Sequence, residues 1–149
     1  MTLEKVLAIH QLQNFTPSPQ GVQRLLAAAE RNLTDAKLAA LSADNRFDAA
    51  YKAIMQCAMV GLWANGYRTS TNQPGHHQTA LQALPKTMGI SQENVIVLDA
   101  LRKQRNLSDY EGDPVTDAAV VECVKQAEIL IRHTQQWLRN HRAELLENR

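Results

Sequence analysis

The segment LRKQRNLSDYEG, residues 101–112, places Arg102, Lys103, Arg105, Asn106, Asp109 and Tyr110 close together. Arg102 and Arg105 are three apart and Asp109 lies four beyond Arg105, so on a helix the three share a face. That spacing supports an ordinary exposed Arg105–Asp109 pair, contributing roughly a few tenths of a kcal/mol. The same residue types support a second chemistry. Two forked cations, a neutral amide and a phenol suit a phosphodiester, because the forks donate to its oxygens and the phenol is a weak acid beside them. Leu98 and Leu101 form an inward stripe that runs directly into Arg102 and Arg105. Arginines that continue a core stripe either reach outward along their stems or point into a cleft. Sequence spacing leaves both readings open.

Outside that cluster the candidates thin out. His76 and His77 are adjacent, so on a helix they diverge by about 100° and are poorly placed to share one metal. The chain has no H-x3-H or HExxH spacing, no glycine-rich phosphate loop, no nucleophile elbow and no CxxC, so neither a metal nor a cofactor is expected. Gly75 and the two histidines either shape a helix start or bring one imidazole to the cleft of Arg105, where it would be a proton-transfer group. Arg68 reads as a surface residue, with the cleft or a pair with Asp99 as alternatives. His133 and His141 read as solvated or packed, and Trp63 and Trp137 as core or interface anchors.

The elements that must position these groups are helical. The chain has 149 residues, 44% apolar and 21% charged, which suits one globular domain with its own core. Aromatics at 5% are too few for an all-β core, while alanine, leucine and glutamine abound. A net charge of +1 excludes a global electrostatic pull onto nucleic acid or acidic membranes, so any such site must be a local cluster. Cys57 and Cys123 sit in apolar helical contexts and read as buried thiols, consistent with a cytoplasmic protein. No signal peptide or membrane span is visible.

Periodicity predicts a short first helix over 3–13, then a break at TPSPQ. A helix follows from Ser18-Pro19 to about Leu41 and another from Asn45 to Asn65, ended by Gly66. Residues to Gly75 read as loop, 76–84 as a short helix and Pro85 to Gly89 as a break. Ser91 caps the helix that carries the cluster. The last helix runs from Thr116 to as far as Glu147, with Val120, Val124, Ala127, Ile131, Thr134 and Leu138 as a lengthwise seam. The expected fold is a single-domain, all-α, up-and-down four-helix bundle spanning 1–149, its core about 19–142, with a short extra N-terminal helix.

NRFDAAYKAIMQCAMVGLWANGYR on the second bundle helix, PGHH opening the third and LRKQRNLSDYEG ending it, followed by a long last helix, resemble the HEPN superfamily. These are small helical bundles of toxin–antitoxin, defence and RNA-processing systems. The family signature is an arginine, often followed by a polar residue, and then a histidine after four to six positions. Arg105-Asn106 matches its first part, and the histidine position is occupied by Tyr110. The resemblance implies an RNA- or nucleotide-binding protein acting as a metal-independent endoribonuclease, the toxin-like half of a two-component system. Arg105, Asn106 and Tyr110 would be catalytic, with Arg102, His76 and His77 joining Arg105 and Asn106 in holding RNA or a nucleotide. It also implies a homodimer, with Arg105 and Tyr110 of both copies facing a shared cleft, and a small nucleotidyltransferase-like antitoxin partner. The alternative is a non-catalytic dimeric interaction module that binds such a partner, or more distantly a nucleotide sensor. The tyrosine bears on that choice. Its reference pKa of about 10, against about 6.5 for histidine, suits proton donation far better than abstraction.

Overall fold

The computed structural model describes residues 2–70 and 75–147. Along the chain they form α1 (Leu3–Ala8), β1 (Leu12–Asn14), α2 (Pro19–Ala36), α3 (Ala43–Ala64), β2 (Tyr67–Thr69), α4 (His76–Gln82), α5 (Leu84–Met88), α6 (Gln92–Glu111) and α7 (Asp117–His141), closed by a 3-10 turn over Ala143–Leu146. The molecule is an all-α bundle built on the four long helices α2, α3, α6 and α7. Each of these starts on a hydroxyl cap. Ser18, Ser42, Ser91 and Thr116 accept from the backbone N–H three residues on, which satisfies a donor the helix itself leaves open.

Helix α3 is the axis. Phe47, Tyr51, Ile54, Ala58 and Leu62 are buried on it, and small residues on its other faces let α2 and α7 approach closely along its length. The α7 seam packs as its spacing predicts, with Val120, Ala127, Ile131, Thr134 and Leu138 buried. Cys57 and Cys123 are buried free thiols, and burial pushes each up to about 12. Helix α6 differs from the others. It meets its neighbours over smaller patches, buries Val95, Leu98 and Leu101, and leaves its other residues half-buried or exposed.

Four boundaries differ from the sequence expectation. The first helix stops at Ala8 rather than reaching residue 13, and His10 takes a positive φ of 63°. Residues 12–14 pair instead as an antiparallel strand with 67–69, Leu12 opposite Thr69, and this buries Leu12. Helix α2 stops at Ala36 because Arg46 Nε donates to the Ala36 carbonyl at 2.8 Å and closes the end; Leu41, expected inward, is exposed. Pro85 does not break the chain but opens α5, where its missing N–H leaves no bond unmade. Helix α7 ends at His141, where Arg142 turns out of helical geometry and donates to the carbonyl of Ala64 at the end of α3. Residues 71–74, read as loop, lie outside the described residues.

Candidate functional site

The apolar stripe of α6 ends at Leu101 and gives way at once to its polar cluster, so Arg102 and Arg105 leave the core at the place where α4 begins. Gly75 precedes α4 in the left-handed region at φ 78°, a conformation glycine adopts without strain, and it turns the chain so that α4 starts against α6. Between the two helices lies an open cleft of about 220 Å³, lined by Gly75, His76, His77 and Gln78 on one side and by Arg102, Arg105, Asn106 and Tyr110 on the other. The structure therefore brings together all six residues singled out from the sequence. Arg68 is not among them. Its Nε donates to Gln13 Oε1 at 3.0 Å, and its guanidinium lies over the Phe15 ring. His133 and His141 bond backbone carbonyls of Met88 and Trp137. Trp63 packs against Phe15, and Trp137 stacks on His141.

The two arginines are held differently. Arg102 Nε donates to Asp99 Oδ1 at 2.7 Å, and Lys103 stands 3.6 Å from the other carboxylate oxygen. Burial pushes the Asp99 carboxyl up, but the hydrogen bonds and charges of Arg102 and Lys103 outweigh it and hold the group below the usual range. Arg105 Nε lies 2.8 Å from Asp109 Oδ2 and 3.8 Å from Asp48 Oδ1 on α3. That nitrogen is shielded from solvent, yet its N–H meets no acceptor at hydrogen-bonding geometry. The contact with Asp109 is thus a charge pairing rather than an aligned bond. The terminal nitrogens of Arg105 make no hydrogen bond among the described residues, which leaves the fork open to an anion.

Beneath the fork lies Tyr51 of α3, a residue whose spacing reads only as core. Its ring centroid is 5.6 Å from Arg105 Cζ, a cation–π placement. Its hydroxyl is 3.2 Å from His77 Nδ1. Burial pushes the Tyr51 phenol up to about 12, although Arg105 and Arg102 pull the other way. Burial also holds His77 below the usual histidine range, and the charges of His76, Arg105 and Arg102 act in the same direction. Asp48 and Tyr51, which meet the cleft residues Arg105 and His77 from α3, are the supporting contacts that sequence reasoning missed. The available signal was their three-residue spacing on α3, which puts the carboxylate on the same side as a buried phenol.

At the lip of the cleft Tyr110 is 79% exposed and makes no hydrogen bond among the described residues. Among those residues no group of three or more histidine, cysteine, aspartate or glutamate side chains comes together in a way that could hold a metal ion. No helix of the described residues is long and apolar enough to cross a membrane. The arrangement offers two cationic forks, an amide, two imidazoles and a phenol around an open space, which is donor-rich chemistry for an oxyanion. A family model described as HEPN domain matches residues 22–137, which include α3, α4, α6 and nearly all of α7. No curated protein matches the chain.

Proposed function

The chain belongs to the HEPN domain family, and from that premise we propose that the cleft between α4 and α6 binds the phosphodiester of RNA and cleaves it without a metal ion. The observation that carries this reading is the fork of Arg105: its terminal nitrogens make no hydrogen bond among the described residues, it lines the cleft, and Arg102, Asn106 and two histidines line the same cleft. A phosphate group placed there would take charge-assisted hydrogen bonds from both arginines, and Asn106 would supply a neutral donor beside them. Asp109 and Asp48 already neutralise part of the Arg105 charge, so a phosphate would replace the loosely aligned Asp109 contact rather than enter an empty field.

The family supports a place for the protein as the toxin-like half of a two-component system, with a small nucleotidyltransferase-like protein as its partner. A second reading, a non-catalytic dimeric interaction module, is favoured by one observation. Ile96, Leu107 and Tyr110 are exposed on α6, as is Val121 at the start of α7, and a second copy would cover them. The test is RNA retention on a filter, in chelator, at low salt. Arg105→Glu should lose retention while keeping the helical circular-dichroism signal. The same charge reversal at Lys37, which lies outside the cleft and pairs with Glu128, should not lose it. Equal retention by the two variants would end the RNA reading and leave the interaction module standing.

A further inference from the structure

The α6 motif lacks a histidine, but the cleft does not. We propose that His77 of α4, rather than Tyr110 of α6, is the catalytic proton-transfer group of this site and that Tyr51 of α3 is its positioning residue. The proposal rests on reading the cleft as an RNA phosphate site.

Geometry carries it. A group that moves a proton in a transition state must be held in a fixed place and orientation. Tyr51 is 1% exposed, anchored in the central helix, and its hydroxyl meets His77 Nδ1 at 3.2 Å. That bond fixes the imidazole plane and occupies Nδ1. Nε2 has no hydrogen-bond partner among the described residues, and it is the nitrogen left for a ligand in the cleft that His77 lines. The same phenol ring seats the anion fork. Arg105 Cζ is 5.6 Å from its centroid and the His77 ring centroid is 5.9 Å from it, so one rigid side chain sets both groups relative to each other. Tyr110 has no such support: it is 79% exposed at the lip.

The electrostatics agree. Burial, His76, Arg105 and Arg102 keep His77 neutral at neutral pH, the form a base needs, while Asp99, Asp109 and Asp48 stand behind the arginines and temper their charge. Tyr51 remains a phenol throughout that range, because burial pushes it up to about 12. The step then balances. As the bond from the RNA 2′-oxygen to phosphorus forms, the 2′-hydroxyl proton passes to His77 Nε2, and Nδ1–H donates to the Tyr51 hydroxyl oxygen. The bond from phosphorus to the 5′-oxygen breaks with its electron pair, and that oxygen takes a proton from water at the open mouth. A 2′,3′-cyclic phosphate and a 5′-hydroxyl result, and the Nε2 proton returns to solvent.

The experiment uses the full chain and a single-stranded RNA oligonucleotide in chelator, with cleavage and retention both measured between pH 5 and 8. Wild type should speed up with rising pH and level off, with a midpoint below about 6.5; a phenol acting as base would keep the rate climbing toward about pH 10. His77→Ala should lose about 100-fold in cleavage, with a far smaller loss of retention. Tyr51→Phe should lower kcat about tenfold with KM unchanged and shift the pH midpoint. If Tyr51→Phe fails to fold, the imidazole nitrogen shifts of wild type decide: a proton on Nδ1 supports the assignment, and a proton on Nε2 overturns it. Undiminished cleavage by His77→Ala, or loss of cleavage in Tyr110→Phe alone, also overturns it. A wild type that retains RNA and never cleaves it removes His77 from catalysis and leaves the phosphate cleft intact. A wild type that does not retain RNA removes the cleft reading itself.

Discussion

Two regions of this bundle hold partly buried arginines, and they use them in opposite ways. Where α2 and α3 end, Arg46 and Arg142 donate to the backbone carbonyls of Ala36 and Ala64. Those carbonyls are the orphans that every helix C-terminus leaves, and they have nowhere else to turn. In the cleft, Arg102 and Arg105 face the carboxylates of Asp99 and Asp109, each on the same helix. A backbone carbonyl is fixed by the fold, whereas a carboxylate one turn away can swing aside by a change of rotamer. The difference teaches that partner mobility, more than residue type, decides whether an arginine closes a structure or keeps a partner that can be exchanged.

The largest effect that separates the two regions is expected at Arg105. Arg105→Ala should lower RNA affinity about 100-fold, since it removes a charged fork from the centre of the site, and leave the melting temperature near that of wild type. Next comes the converse. Arg142→Ala leaves the Ala64 carbonyl without its donor and should cost about 1–3 kcal/mol of stability in urea titration, with RNA retention unchanged. Were Arg105→Ala to melt as early as Arg142→Ala, the cleft arginine would be structural and the contrast would dissolve.

A smaller effect sharpens the contrast within the cleft. Asp109 pairs with Arg105 through charge without an aligned hydrogen bond, and so competes with any incoming anion. Asp109→Asn should tighten RNA retention about threefold to tenfold at low salt, and the gain should shrink as salt rises. Weaker retention in that variant would mean that Asp109 holds the fork in its working orientation, which makes it a support and not a competitor.

The same contrast explains what the sequence disclosed. Bundle helices were legible because apolar residues recur at helical spacing, as Phe47, Tyr51, Ile54 and Ala58 do on α3 and Val120, Ala127, Ile131 and Leu138 on α7, and hydroxyl caps mark their starts. The membership of the cleft was legible on α6, where Arg102, Arg105, Asn106 and Tyr110 follow from one helical face, and on α4, where Gly75 announces the turn. Long-range closures were not. Nothing local shows that Arg46 meets Ala36 or that Arg142 meets Ala64, so α2 and α7 read longer than they are. The paired strands at Leu12 and Thr69 lie 57 positions apart, too far for any window to connect. Tyr51 escaped for a different reason. Its spacing with Phe47 and Ile54 is that of a core residue, and its ring is indeed buried, but its hydroxyl extends beyond that role to His77.

The smallest expected effect concerns Arg102, whose partner is better aligned than that of Arg105. Asp99 is held below the usual carboxylate range in the folded protein, burial opposing and Arg102 with Lys103 prevailing. A folded-state value below the unfolded one means that the pair contributes fully above about pH 4 and that this contribution is lost as pH falls through the folded value. Asp99→Asn should therefore be less stable than wild type by under about 1 kcal/mol at pH 7, and the difference should shrink as pH falls through the folded value. RNA retention at neutral pH should change less in this variant than in Asp109→Asn. Arg102 Nε already donates in line to Asp99, so releasing it costs a formed hydrogen bond that Arg105 does not have to break. A stability difference that stayed flat with pH would show that Asp99 serves Arg102 only as a neighbour, and the two arginines would then differ in burial alone.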